Sequence, residues 1–357
     1  MISIGHPAQV HLFKNLIKKL LDHGHCVKIA ARDKEMVLQL LDIYGLEYEI
    51  VSFQGKSIVG LALELIRRHF EILKEMRRFK PDLILSGLDP SVAQVSYLLG
   101  IPAIVFADNR PSVVRFPPIG PMVIPFAKSI LTLTSVSLEK YDYGPKAIKL
   151  NSYKELAYLH PNYFTPNKEI LEEAGISKNE KYILCRFVAL KAYHDITAKK
   201  SLFDWEKKEK IIKNMENYAK VFISFEGKLP PNLNKYAMPI KYDKIHDLLY
   251  YANLLISDSQ TMTTEAAVLG TPAIRCNSFV GNNDLGNFIE LENKYGLIYN
   301  YSDPSLVIEK AIELVTSPSV KEEWIKKRDL MLQDKTDITQ FLVWFIENYP
   351  YSHQTSK

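Results

Sequence analysis

Short apolar runs, each followed by an amphipathic stretch of helical period, alternate along almost the whole chain. That alternation is what most limits the fold, because strands spaced by helices imply βαβ units and parallel sheets covered on both faces. In the first half, Ile2–Ile4 and residues 26–31, 48–51, 83–85, 103–106, 130–133 and 147–150 read as strands. Between them, residues 10–21 place Val10, Phe13, Leu16, Ile17 and Leu20 on one helical face, and further helical patterns cover 35–44 and about 57–79. Residues 151–168, NSYKELAYLHPNYFTPNK, hold turn-formers and two prolines and read as a linker. The rhythm then restarts, with strands at 182–188, 221–225, 254–257 and 272–276. Helices are expected at 204–218, 245–252, 288–295, 306–316 and 320–332. A last apolar helix, 338–349, carries Phe341, Leu342, Trp344 and Phe345.

At 357 residues the chain exceeds the size at which one core usually stops growing. The expected architecture is therefore α/β with two doubly wound, Rossmann-like domains facing a cleft, residues 1–160 and 161–335. The terminal segment 336–357 is expected to cross back to the first domain. Composition, 47% hydrophobic and 24% charged, is that of a soluble globular protein. A net charge of +4 without a long block of like charge argues against a nucleic-acid partner. Cys26, Cys185 and Cys276 are scattered, which fits neither a disulfide scaffold nor a metal-ligand pattern and points to a reducing, cytoplasmic location. The opening MISIGHP lacks the basic segment and apolar core of a signal peptide. The most apolar long stretch, 113–138, is broken by Pro117, Pro118, Pro121 and Pro125 and carries Arg115 and Lys128, so it is not expected to span a membrane. Gly55–Lys56–Ser57 imitates the tail of a phosphate loop, but the glycine needed five residues earlier is Ile50. His6 with His11, and His23 with His25, lack helical i, i+4 spacing and a supporting cluster, so no metal site is expected. The lysine-rich run 199–213 reads as a solvated helix face.

One stretch asks for more than folding. SDSQTMTTEAAVLGTPAI (257–274) empties a strand into small hydroxyl residues and starts a helix there. A helix N-terminus leaves unpaired N–H groups and a partial positive charge, which suits a phosphate. Ser259, Gln260, Thr261, Met262 and Thr263 would surround that group, with hydroxyls from Ser259, Thr261 and Thr263. N-capping alone accounts for one hydroxyl. Glu265 cannot close a capping box, because residue 262 is Met, and a carboxylate one turn into such a helix can accept both hydroxyls of a ribose. This reading needs Glu265 to face the cleft.

The motif resembles the donor-binding signature of GT-B-fold enzymes, the superfamily of sugar-nucleotide glycosyltransferases and non-hydrolysing UDP-N-acetylglucosamine 2-epimerases. Together with HPAQVHLFKNLIKKL (6–20), RFVALKAYHD (186–195) and GNFIELENKYGLIY (286–299), it is similar to the family called domain of unknown function 354. The resemblance spans nearly the whole chain. It implies a nucleotide-sugar substrate, uridine-diphosphate linked, with the loop on the diphosphate and the helical glutamate on the ribose. It implies no separate cofactor. The acceptor would be a sugar or a lipid-linked molecule, with peripheral membrane contact in the second case.

The first loop, Gly5–Lys14, follows the first strand and opens on the same cleft. His6 and His11 are the candidate general bases there, against the plainer reading of solvated helix-start histidines. Arg186 is a charge in the apolar strand YILCRFVAL, expected to meet either a salt-bridge partner or a diphosphate. His194, Asp195, Glu226 and Asn282 are further cleft candidates, and Asn282, Asn283 and Asp284 are turn-formers first and sugar-hydroxyl contacts second. Asp89 and Asp108, which follow first-half strands, are alternative acid/base groups. RFPPIGPMVIPFAK (115–128) reads as a buried loop ahead of an acceptor flap or a membrane-touching patch. The expected activity is metal-independent glycosyl transfer. Epimerisation comes second, since GHPAQVH and KAYHDI stand where the epimerases carry a G-T-R-P-E-like loop and T-x-H-R-x-E-N. A non-catalytic sugar-nucleotide or polysaccharide-binding protein is the third reading.

Overall fold

The computed structural model describes residues 1–55, 57–108, 119–135, 143–188, 205–225, 227–281 and 284–356. It forms two compact units, Met1–Tyr158 with Lys335–Lys357, and Leu159–Asp334. Both are parallel α/β sheets.

The first unit holds β1 (Ile2–Ile4), β2 (Ile29–Asp33), β3 (Glu49–Phe53), β4 (Ile84–Ser86), β5 (Ala103–Ala107), β6 (Ser129–Leu133) and β7 (Ala147–Leu150), in the order β3-β2-β1-β4-β5-β6-β7. All neighbours pair parallel. Of its helices in the first hundred residues, α1 is Pro7–Asp22, α2 Val37–Ile43, α3 Ile58–Phe79 and α4 Pro90–Leu99. α1 turns Val10, Leu12, Phe13, Leu16, Ile17 and Leu20 inward, the face its 3.6 period dictates. α3 carries the chain from the outer strand β3 back past β1 to β4, so the sheet changes direction between β1 and β4.

The second unit holds β8 (Tyr182–Phe187), β9 (Lys220–Phe225), β10 (Leu254–Ser257), β11 (Ala273–Cys276) and β12 (Ile298–Tyr301), in the order β12-β11-β10-β8-β9. After a single turn at Ile170–Glu173, its described helices are α5 (Trp205–Met215), α6 (Ile245–Tyr251), α7 (Gln260–Leu269), α8 (Gly286–Asn293), α9 (Ser305–Thr316) and α10 (Val320–Asp334). Here the direction changes between β8 and β10. In open parallel sheets, ligands collect outside the carboxyl ends of the strands at such a change of direction.

Several expectations need correction. The helix Pro90–Leu99 went unread, although Asp89 caps it, proline opens it and Gly100, at φ 69°, closes it. β12 also went unread, because Ile298–Tyr301 is short and only its first residue is fully buried. The boundary between the units, at Tyr158, falls inside the stretch read as a linker, but its first part is packed rather than loose. Ser152, Tyr153, Leu156 and Tyr158 are buried, and the carbonyl of Asn151 accepts from the Thr336 N–H at 2.9 Å. That contact helps hold the helix α11 (Ile338–Glu347) in the first unit, where it packs on α1 ahead of a short closing helix, Tyr351–Thr355. Within α11, Phe345 is fully buried, but Trp344 turns outward, because Ile338, Leu342 and Phe345 already occupy the inner face. In the proline-rich stretch, read as a buried loop, Val123 and Ala127 do pack beside Val105 and Ile130, while Pro121 and Pro125 are exposed.

Candidate functional site

At the second unit's change of direction, strand register sets Arg186 of β8 opposite Ser257 of β10 and Ser224 of β9. Small neighbours leave room for the guanidinium, whose Nη1 donates to Ser224 Oγ at 2.9 Å. β10 then turns through Asp258 and Ser259 into α7. The Asp258 N–H donates to the Arg186 carbonyl at 3.2 Å, tying the turn to β8. Ser257 Oγ accepts the Ser259 N–H at 2.9 Å, and Ser259 Oγ caps α7 by accepting the Met262 N–H at 3.4 Å. The N–H groups of Gln260 and Thr261 find no acceptor among the described residues. They carry the positive end of the helix dipole at the strand ends, beside Arg186.

The hydroxyl-rich stretch is less open than its sequence suggests. Thr263 is buried and donates to its own helix, to the Ser259 carbonyl at 2.7 Å, and Met262 is also buried. Among the described residues of this terminus Thr261 is exposed and Gln260 half-buried. Glu265 departs further from expectation. Its residue is 6% exposed, and its Oε1 lies 3.0 Å from His246 Nε2 on α6. A solvated ribose clamp would not be sunk this deep, and His246 is the partner that makes the burial tolerable.

Other ionic pairs brace the same edge. Asp258 accepts the Val188 N–H at 2.8 Å and faces Lys208 Nζ at 3.1 Å. Burial pushes the Asp258 carboxyl up, with the Lys208 ammonium opposing. Lys208 therefore leaves the expected solvated face of α5 and lies over the rings of Phe187 and Trp205, at 4.6 and 5.1 Å. Asp284 is no sugar contact in this arrangement either. It pairs with the fully buried Arg275 of β11, whose Nε donates to Asn300 Oδ1 at 2.8 Å. Arg275 carried the same signal as Arg186, a charge inside an apolar strand, and went unread. Lys208 and His246 gave no signal of their own, since each is explained only by a partner distant in sequence.

At the first unit's change of direction, β1 ends at Gly5–His6 and β4 at Gly87–Asp89. Gln9 Oε1 accepts the Gly5 N–H at 2.7 Å, and its amide nitrogen lies so close to Gly87 that a Cβ there would sit 1.9 Å from it. His6 caps α1, its Nδ1 accepting the Ala8 N–H at 3.2 Å. That bond places the neutral ring's proton on Nε2, making His6 a donor outward. Glu35 Oε2 lies 3.9 Å from Nε2. Burial and then Lys34 hold the His6 pKa below its ordinary value, against Glu35 and Asp108. Asp108, at the end of β5, is paired with Lys154 at 3.1 Å. His11 sits about 7.5 Å further along α1, with Nδ1 3.2 Å from the Tyr44 hydroxyl and its ring on Tyr158 at 5.2 Å. It is a packing residue in this structure. Asp89 caps α4 through the Ser91 N–H at 3.0 Å and faces Arg68 at 3.6 Å, which accounts for it structurally.

His194, Asp195, Glu226, Asn282 and Asn283 lie outside the described residues. Among the described residues no group of three His, Cys, Asp or Glu side chains is arranged to hold a metal ion. His23 and His25 instead share Glu347 Oε1, at 2.7 and 3.1 Å.

Residues 1–345 match the family described as "Protein of unknown function (DUF354)", and the chain belongs to that family. Among curated proteins, it is 22% identical over 285 residues to "Uncharacterized protein MJ0665" of Methanocaldococcus jannaschii, covering 77% of this chain and 80% of the relative. Its fold resembles a UDP-N-acetylglucosamine 2-epimerase, at TM-score 0.69 and 14% identity over 98% of this chain and 96% of the other. The UDP-GlcNAc 2-epimerase from Neisseria meningitidis, solved bound to UDP-GlcNAc, matches at 0.64 and 15%, over 93% and 98%. The glycotransferase of kitacinnamycin matches at 0.58 and 13%, over 97% and 98%. The architecture is thus that of the GT-B glycosyltransferases and epimerases.

Proposed function

We propose that the protein is a GT-B-type glycosyltransferase that binds a nucleoside-diphosphate sugar, uridine-linked, at the carboxyl ends of β8 and β10. One observation carries this reading. Arg186 and the uncapped N–H groups of Gln260 and Thr261 stand at the same change of strand direction. A diphosphate needs that combination, because the guanidinium fork and the helix terminus neutralise charge as it develops on the leaving group. In this reading no metal is required for that neutralisation. Glu265, buried against His246, is left to brace α7 in this reading and is not assigned the ribose.

The first unit's rim is assigned to the acceptor. His11 is tied to Tyr44 and Tyr158, so the proton-handling groups are His6 and Asp108. His6 offers Nε2–H as a donor that holds the acceptor oxygen, and the Asp108 carboxylate takes the proton as the new glycosidic bond forms. Epimerisation remains the second reading, favoured by the structural likeness to UDP-N-acetylglucosamine 2-epimerases.

The test is to incubate the full chain with UDP-N-acetylglucosamine in deuterated water, with and without a panel of sugar and lipid-linked acceptors. Transfer releases uridine diphosphate only when an acceptor is present and leaves the sugar's second carbon free of deuterium. Deuterium at that carbon makes the protein an epimerase. Binding without turnover across the panel makes it a non-catalytic receptor.

A further inference from the structure

α3 contains an exposed face that the proposed chemistry does not use. Val59, Leu63, Ile66 and Phe70 recur at helical spacing and are 69%, 62%, 56% and 67% exposed. Phe53, at the end of β3, is 54% exposed, with the Arg67 guanidinium 5.9 Å from its ring centre. Isolated exposed apolar residues are ordinary, but four in register along three turns form a patch. The same stripe then changes character. Lys74 and Arg77 continue it towards the carboxyl end, and Arg67 and Arg78 flank it, all exposed.

The acidic residues of this helix avoid that face. Glu64 is buried and takes the Arg32 fork through two bonds of 2.6 Å. Glu75 is buried with Lys28 at 3.9 Å, and the half-buried Glu71 lies 3.5 Å from Lys74. The outer surface of α3 is thus apolar over its first half and basic over its second. Among the described residues no helix is long and apolar enough to cross a membrane.

We propose that this face of α3 docks on an anionic lipid surface, with Val59, Leu63, Ile66 and Phe70 entering the headgroup boundary and Lys74, Arg77 and Arg78 pairing with lipid phosphates. Charge decides the occupant. A helix lying in an interface needs a large apolar face bordered by Lys and Arg, and each basic residue near an anionic surface contributes about 1 kcal/mol. The proposal is independent of the sugar-nucleotide reading and stands whether or not that reading holds.

The test is co-sedimentation of the full chain with vesicles of phosphatidylcholine alone, or of phosphatidylcholine with phosphatidylglycerol, at low and high salt. The chain should bind the anionic vesicles, bind the neutral ones far less, and be released by salt. Ile66→Ser with Phe70→Ser should weaken binding by on the order of 100-fold. Arg77→Gln with Arg78→Gln should weaken it roughly 20- to 30-fold. All four positions are exposed, so circular dichroism should be unchanged. No binding to anionic vesicles, or binding indifferent to both double variants, overturns the proposal. So does a dimer in solution that Ile66→Ser with Phe70→Ser dissociates without any vesicle binding, because the face then belongs to a second copy of the chain.

Discussion

The two changes of strand direction are built differently. At β8 and β10 the ionisable groups are sunk and matched: Lys208 to Asp258, Arg275 to Asp284, His246 to Glu265. Beside these pairs stand the half-buried Arg186 guanidinium and the N-terminus of α7. At β1 the groups stay half-exposed and loosely coupled. His6 stands among two half-exposed ion pairs, Lys34 with Glu35 at 3.2 Å and Asp108 with Lys154 at 3.1 Å. The contrast separates two tasks. A rigid edge with fixed dipoles suits holding an anion, since its donors need no reorganisation. A looser edge with shiftable protons suits acid–base work.

The largest effect expected from this contrast lies in the rigid edge. Asp258→Ala breaks a buried ion pair with Lys208 and removes the acceptor of the Val188 N–H, and such losses cost about 3–5 kcal/mol. Urea unfolding measures this, and a loss no larger than that of an exposed ion pair would show the edge is not braced as described.

Next comes Glu265. Glu265→Ala removes a buried charged hydrogen bond and should cost about 1.5–3 kcal/mol. His246→Ala should cost a similar amount, and the double variant less than the sum, because the two residues share one interaction. Additive losses would mean that the 3.0 Å contact between them contributes nothing.

Ser259→Ala should cost about 1 kcal/mol, the usual value of an N-cap hydroxyl. Thermal unfolding checks it.

The smallest effect belongs to the looser edge and depends on pH. The His6 pKa is held below its ordinary 6.5. The unfolded chain therefore binds more protons in that window, and stability rises as pH climbs from the folded pKa towards 6.5. His6→Asn keeps a capping side chain and removes that contribution. Its stability should vary less with pH just below 6.5 than the parent's, and identical pH profiles would contradict the placement of His6.

How far these edges were legible in sequence follows from the same contrast. The alternation of apolar runs and helical patterns yielded the doubly wound class, because period 2 and period 3.6 are local properties. The turn after β10 was legible for the same reason, as SDSQTM is contiguous. Glu265 was misread because its environment comes from His246, nineteen residues earlier on another helix. Lys208 was lost among the exposed Lys207, Lys210 and Lys213, since its partner Asp258 lies in the turn after β10. His6 and His11 looked equivalent on the page. Five residues of helix separate them, enough to leave one at the strand end and turn the other onto Tyr44 and Tyr158.

The central claim is that the β8–β10 edge holds a diphosphate, and isothermal titration of uridine diphosphate into the full chain and into Arg186→Ala tests it most directly. Arg186 donates to Ser224 at the strand ends and is only half-buried, so its removal should leave folding nearly intact. The account expects saturable binding by the parent chain, weaker binding of uridine lacking phosphates, and an affinity for uridine diphosphate about ten- to a hundred-fold lower in the variant. Equal affinity in both chains, or no detectable binding of any nucleoside diphosphate by the parent, would contradict it.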